Sequence, residues 1–152
     1  PTPKSNASSS STKSSAVSNQ EAMSNIELQD SNAYKKALDL VIKRKYDVAL
    51  KALQQYLSNF PNGEYKDKAH FWSGEIYFLM KNFKLAQNEF NLVITDSPKS
   101  PRVPDAKLKI ALIHLQQGQQ SLARTELSSI KKLYPNSTAA QLAIIQLKQL
   151  AL

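Results

Sequence analysis

Residues 71–100 read FWSGEIYFLMKNFKLAQNEFNLVITDSPKS, and this stretch decides the fold. Apolar residues recur at helical spacing on both sides of a short break at Asn82-Phe83. The spacing predicts a first helix over about Tyr65 to Lys81 and a second over about Leu85 to Asp96. Pro98 follows, and proline ends a helix because it lacks a donor and clashes with the preceding turn. Working outward, Pro61, Pro98 and Pro135 stand 37 residues apart. The same step aligns Ala49, Ala86 and Ala123, then Leu53, Phe90 and Leu127. It aligns Ala37, Gly74 and Ala111, then Leu40, Tyr77 and His114, and finally Tyr56, Val93 and Ile130. A fixed period of this length marks a stacked repeat.

Each column has a physical reason. Ala37, Gly74 and Ala111 on one helix, with Ala49, Ala86 and Ala123 on its partner, let the two backbones approach closely. Leu53, Phe90 and Leu127 fill the space between units. One helix pair leaves an apolar face open, so only stacking of neighbours makes a core. Gly118 is placed to end the preceding helix in the left-handed conformation. Asn62-Gly63, Lys99-Ser100 and Asn136-Ser137 supply turn and cap chemistry after the prolines. The expected architecture is all-α: a right-handed superhelix of three helix pairs, at about 30–63, 64–100 and 101–136. A lone covering helix over 137–150 completes the 30–152 domain. Asp30 or Ser31 is the candidate N-cap of its first helix.

Upstream, residues 1–20 contain eight serines and no apolar types beyond Ala and Val. Residues 1–29 therefore read as a disordered Ser/Asn-rich linker, too poor in apolar surface to offset the entropy of ordering. Lys4, Lys13, Glu21 and Glu27 cancel within it, so the net charge of +8 sits on the repeats. No cysteine is present, which removes disulfides and thiolate metal sites. No apolar run reaches the roughly 18 residues of a membrane span. The sequence opens on Pro1, which reads as a piece of a longer protein.

These columns resemble the tetratricopeptide repeat, lengthened from its usual period. Phe71 to Phe78, Lys84, Ala86, Phe90, Val93, Pro98-Lys99-Ser100, Asp105 to Lys109 and Leu133 to Ser137 resemble the C-terminal domain of the CpoB (YbgF) family. The resemblance covers about residues 30–150. It implies a periplasmic protein of the Tol-Pal system that binds TolA. It also implies a role in coordinating septal peptidoglycan synthesis with outer-membrane constriction during cell division. Family members trimerise through an N-terminal coiled coil absent here, so this chain alone is expected to be monomeric. His114 and Gln120 depart from the pattern in the third unit. The outer-membrane assembly lipoprotein BamD is similar in its long repeats but has more of them and a lipid-modified cysteine, which this chain lacks; a general adaptor built from such repeats is the other alternative.

In such solenoids the first helices line the concave face. That places Tyr34, Leu38 and Val41, then Lys68, Phe71, Glu75 and Phe78, then Asp105, Leu108, Leu112 and Leu115 in a partner-binding groove. Apolar residues run almost all round the helix at Phe71–Met80, which calls for cover on a second side. The groove suits an amphipathic helix or an extended segment. The Lys and Asn pairs by which chaperone-binding repeats clamp a terminal carboxylate do not stand at these columns.

Other chemistries find little footing. His70 and His114 lie in different units without a carboxylate at ligand spacing, which argues for packed or surface histidines and against a metal. Glu75 is a lone carboxylate among apolar residues, and no nucleophile, base and oxyanion site assemble around it. Lys43-Arg44-Lys45 and Lys131-Lys132 sit at helix C-termini, where cations complement the helix dipole. Stacking aromatics are not interleaved with them, so nucleic acid is not the expected partner. No enzyme and no cofactor are expected.

Overall fold

Arg44, Lys81 and Gly118 have positive φ, at 58°, 59° and 78°, and they stand 37 residues apart. Each reverses the chain between the two helices of one unit. In every case the next residue's N–H bonds back to a carbonyl five residues upstream: Lys45 to Leu40 at 2.9 Å, Asn82 to Tyr77 at 2.9 Å, Gln119 to His114 at 2.8 Å. This is the Schellman closure of a helix C-terminus. It accepts Gly118 freely and places Arg44 and Lys81 in a conformation that costs an L-residue roughly 1–2 kcal/mol.

The structure, a computed structural model, describes the backbone of residues 11–152 and the side chains of residues 18–152. The described residues form seven helices and no strand: α1 (Ser11–Ile42), α2 (Tyr46–Asn59), α3 (Lys66–Leu79), α4 (Phe83–Asp96), α5 (Val103–Gln116), α6 (Gln120–Leu133) and α7 (Thr138–Leu150). The units are the pairs α1/α2, α3/α4 and α5/α6. The second helix of each also packs on the first helix of the next, and α7 lies against α5 and α6. Helices α2, α4 and α6 each stop two residues before a proline. Pro104 sits in the first turn of α5, where its missing N–H breaks no helical bond. Ser137 caps α7 by accepting from the Ala140 N–H at 3.0 Å. Among the described residues no helix is long and apolar enough to cross a membrane.

The columns pack as the spacing requires. Ala37, Ala49, Leu53, Ala86, Phe90, Val93, Ala111, Ala123 and Leu127 are fully buried. A Cβ placed on Gly74 would meet the Phe90 ring at 2.7 Å. The largest side chain of the Leu53/Phe90/Leu127 column thus faces the smallest of the Ala37/Gly74/Ala111 column.

The N-terminal segment differs from the expected linker. Residues 1–10 of that linker lie outside the described residues. From Ser11 to Gln29, however, the chain is helical and continues directly into the docked part of α1. Side chains of residues 18–29 are all exposed, so little packing holds this stretch. Its helicity follows from the docked turns downstream, which supply the costly nucleus. Good helix formers at Gln20, Glu21, Ala22, Met23, Glu27 and Leu28 propagate it, and no proline or glycine intervenes between Pro3 and Pro61. Asp30 and Ser31 are therefore not N-caps. The Asp30 carboxylate is buried and accepts from the Tyr56 hydroxyl and from the Glu64 N–H, the latter at 2.9 Å.

Candidate partner-binding face

The expected groove divides in two. Tyr34, Val41, Phe71 and Leu108 are buried core residues, at 5%, 9%, 6% and 4% exposure. The physical reason lies in the stacking. Tyr34, Phe71 and Leu108 form one 37-residue column, and each packs in a cluster with an alanine of the next unit's first helix, Ala69, Ala106 and Ala143 respectively. An alanine lets the neighbouring helix come close enough to close over the ring or the leucine. Phe71 is further held edge-on to Phe90, with centroids 5.5 Å apart. These positions seal the unit boundaries and are not open to a partner.

Leu38, Glu75 and Leu112, with Lys68, Asp105, Phe78 and Leu115, remain partly exposed. They define the open face of α1, α3 and α5. Two residues missed by the sequence reading extend it: Ile42 and Leu79, at 70% and 60% exposure. Each stands one helical turn beyond Leu38 or Glu75 on the same side, so extending that column by four residues would have found them. Ile42 and Leu79 line a hollow of about 190 Å³ with Val41, Arg44, Tyr46, Trp72, Glu75 and Ile76. A second hollow of about 220 Å³ lies beside it, among Phe78, Leu79, Lys81, Phe83 and Gln116. A larger one, about 470 Å³, lies away from this face between the loops at 62–67 and 96–100. There Ser100 already donates to Asp67 and Lys66 stands 3.6 Å from Asp96.

Charge is distributed unevenly across the face. Lys109 lies 3.0 Å from Glu75 and 5.4 Å from the centroid of Phe78. It bridges α5 to α3 and leaves Glu75 ion-paired, although that oxygen makes no hydrogen bond of normal geometry. Trp72 stands 37 residues before Lys109 and fills the equivalent position at the preceding junction, packing on the first unit's core. The Arg102 guanidinium lies over Phe71 at 5.0 Å and near Trp72 at 6.0 Å. Lys68 lies over Tyr65 at 5.2 Å, and Tyr65 stacks flat on Tyr34 at 4.5 Å. Burial pushes the Tyr34 hydroxyl above its ordinary pKa, with the Trp72 indole and Arg102 opposing the rise.

The histidines are packed, but not alone. His70 Nδ1 lies 2.7 Å from Glu89, and His114 Nδ1 lies 2.7 Å from Glu126. Both carboxylates come from the second helix of the same unit, a proximity hidden in sequence by separations of 19 and 12 residues. Each pair is one histidine and one carboxylate, and among the described residues no three potential ligands gather for a metal.

Comparison with known proteins agrees with this geometry. The tetratricopeptide repeat family profile matches residues 20–63 and 105–137, which are 44 and 33 of the 152 residues, just over half. No curated protein matches the chain. Among solved structures, the first such domain of Spaghetti (RPAP3), bound to the HSP90 peptide SRMEEVD, superposes with a TM-score of 0.65 at 17% identity, covering 82% of this chain and 92% of that one. The Yersinia enterocolitica secretion chaperone SycD, in complex with a YopD peptide, gives 0.63 at 18% identity, over 78% and 86%. The Arabidopsis OM64 domain gives 0.64 at 12% identity, over 81% and 97%. At these identities the likeness is one of fold.

Proposed function

The chain belongs to the tetratricopeptide repeat family, and on that premise we propose that it is a non-catalytic scaffold holding a segment of a partner protein on the open face of α1, α3 and α5. One observation carries this reading: Leu38, Ile42, Phe78, Leu79, Leu112 and Leu115 leave apolar surface partly or largely exposed on the first helices of all three units. Apolar surface left open on neighbouring helices favours association. Two of the similar solved structures carry peptides of other proteins, which is the kind of ligand this face would take.

The finer assignment rests on the resemblance of Phe71–Phe78, Pro98–Ser100 and Leu133–Ser137 to the CpoB (YbgF) family. On that reading the chain works in the periplasm, binds TolA of the Tol-Pal system, and helps couple septal peptidoglycan synthesis to outer-membrane constriction. The complete protein would then be a trimer. Titration calorimetry of the chain with purified periplasmic domains of TolA tests it. Binding in the micromolar range or tighter is expected, with at least a tenfold loss in the Leu79→Ala/Leu112→Ala variant. Unchanged affinity in that variant, with its helicity intact, would place the partner elsewhere. Absence of any TolA binding would leave the general scaffold without the Tol-Pal assignment.

A further inference from the structure

Residues 65, 102 and 139 occupy one 37-residue column whose structural task is to cover the residue at 34, 71 or 108 of the preceding unit. Tyr65 does so by stacking on Tyr34. Ala139 does so within the cluster around Leu108. At the middle junction the task falls to Arg102, whose guanidinium lies 5.0 Å over Phe71. Cover alone does not require a charge, as the two neighbours of this column demonstrate.

The guanidinium is also unspent. It lies against the Phe71 ring, 5.0 Å from the centroid, and 6.0 Å from that of Trp72, and it forms no ion pair among the described residues. Asp67 is engaged by the Ser100 hydroxyl, and Asp105, one turn along α5, does not pair with it. Lys68 is likewise without a carboxylate among the described residues and rests on Tyr65. Both cations are only partly exposed. A guanidinium resting on aromatic rings gives up none of its N–H groups to a carboxylate there, and its fork suits a planar, bidentate acceptor. Holding it there in advance lowers the ordering cost of binding.

We propose that Arg102, assisted by Lys68, anchors an Asp or Glu side chain of the segment that lies on this face. The inference rests on the partner-binding reading above and adds the chemistry of its ligand: an amphipathic segment whose apolar side chains meet Leu38, Phe78 and Leu112 while one carboxylate reaches Arg102. The net charge of +8 favours the approach of such an acidic segment.

Two blocked 16-residue helical peptides test it, with leucines along one face and either glutamates or glutamines beside them. Trp72 is the chain's single tryptophan and lies 6.0 Å from the guanidinium, so its emission reports binding. The glutamate peptide is expected to bind at least tenfold more tightly than the glutamine peptide, with the preference shrinking as salt rises. Arg102→Tyr, which copies the Tyr65 solution and keeps Phe71 covered, is expected to remove the preference while leaving the melting temperature within a few degrees. Arg102→Lys keeps the charge without the fork and is expected to retain a fraction of it. Lys131→Gln, on the far end of α6, is expected to change nothing.

Equal binding of the two peptides would overturn the anchor and leave the face reading standing, whereas binding of neither would remove the face reading and the anchor with it. A preference that survives in Arg102→Tyr also overturns it. So does tight binding of the glutamine peptide only when its C-terminus is left free, since the acceptor would then be a terminal carboxylate. Should Arg102→Tyr fail to fold, the wild-type preference and Arg102→Lys still decide the matter, no preference in the first or an unchanged one in the second counting against the anchor.

Discussion

The hydroxyl of Tyr56 occupies the space that a side chain at Gly63 would need. It donates to Asp30 and accepts from the Tyr65 N–H at 3.0 Å. One unit later the same two links are made by Ser100, which donates to Asp67 and accepts from the Arg102 N–H at 3.0 Å. Ser100 stands 37 residues after Gly63, and Val93 stands 37 after Tyr56. The hydroxyl has therefore moved from the loop in the second unit to the end of a tyrosine in the first, and glycine makes room for it. Pro104 takes the carboxylate's position in the third unit, and there Ser137 donates instead to the Tyr134 carbonyl at 2.7 Å.

That exchange predicts strong coupling between the two positions. Gly63→Ser alone would drive a side chain into Tyr56 and is expected to destabilise by about 1–3 kcal/mol. Tyr56→Val alone removes packing and one of the two donors to Asp30, at a cost of about 2–4 kcal/mol. Together they rebuild the arrangement of the second unit, with a serine to serve Asp30. Urea denaturation of the four proteins in the cycle should show the double variant at least about 1 kcal/mol more stable than the sum of the single losses. Simple additivity would mean that the serine does not take over the tyrosine's bonds.

Gly74 and Phe90 form a second matched pair, and their prediction is a reversal of sign. With Phe90 in place, Gly74→Ala puts a methyl 2.7–2.9 Å from three ring carbons and should destabilise by about 1–3 kcal/mol. In a Phe90→Leu background the second unit acquires the Ala/Leu pairing of the first and third. The same substitution should then stabilise, by up to about 1 kcal/mol, because alanine is the better helix former. Thermal melts of Gly74→Ala in the two backgrounds check this, and a loss of similar size in both would show that the ring is not the obstacle.

How much of this the sequence discloses follows from what repetition makes visible. The period, the helix pairs and the buried columns were legible because one physical requirement recurs three times at a fixed step. The stop at Gly118 was legible for the same reason that Arg44 and Lys81 were not: glycine advertises the left-handed conformation and a basic residue does not. The groove was half legible. Helical position places Tyr34, Phe71 and Leu108 on the first helices, but the closeness of the next helix, set by Ala69, Ala106 and Ala143, decides that they are sealed. The pairs His70–Glu89 and His114–Glu126 needed the fold, since packing alone brings those helices together.

The three chain reversals make a prediction of opposite signs at equivalent sites. Lys81→Gly relieves a left-handed lysine and should stabilise by about 0.5–1 kcal/mol, less the extra entropy of glycine in the unfolded chain. Gly118→Ala imposes the same strain anew and should destabilise by about 1 kcal/mol. Nothing lies within 4 Å of a Cβ built at Gly118, so its cost is purely one of backbone conformation. Melting temperatures moving in the same direction for both variants would show that something other than φ governs these turns.

Tyr56 and Tyr34 are expected to lower the stability of the fold at alkaline pH. Burial, and for Tyr56 the hydrogen bond to Asp30, push both hydroxyls above the ordinary tyrosine value of 10.0. Unfolding frees them to ionise at about 10, so above that pH the unfolded chain holds fewer protons than the folded one. Stability from this source is complete below pH 10 and falls as pH rises toward the folded-state values, by about 1.4 kcal/mol per pH unit for each tyrosine that stays protonated. Absorbance at the tyrosinate band should show the exposed tyrosines titrating first and two more ionising only together with the loss of helical circular dichroism. Tyr56→Phe should flatten the decline by one tyrosine's share although the variant is less stable at neutral pH, because Asp30 keeps only the Glu64 N–H. An unchanged slope in Tyr56→Phe would mean that Tyr56 ionises in the folded protein as freely as in the unfolded one.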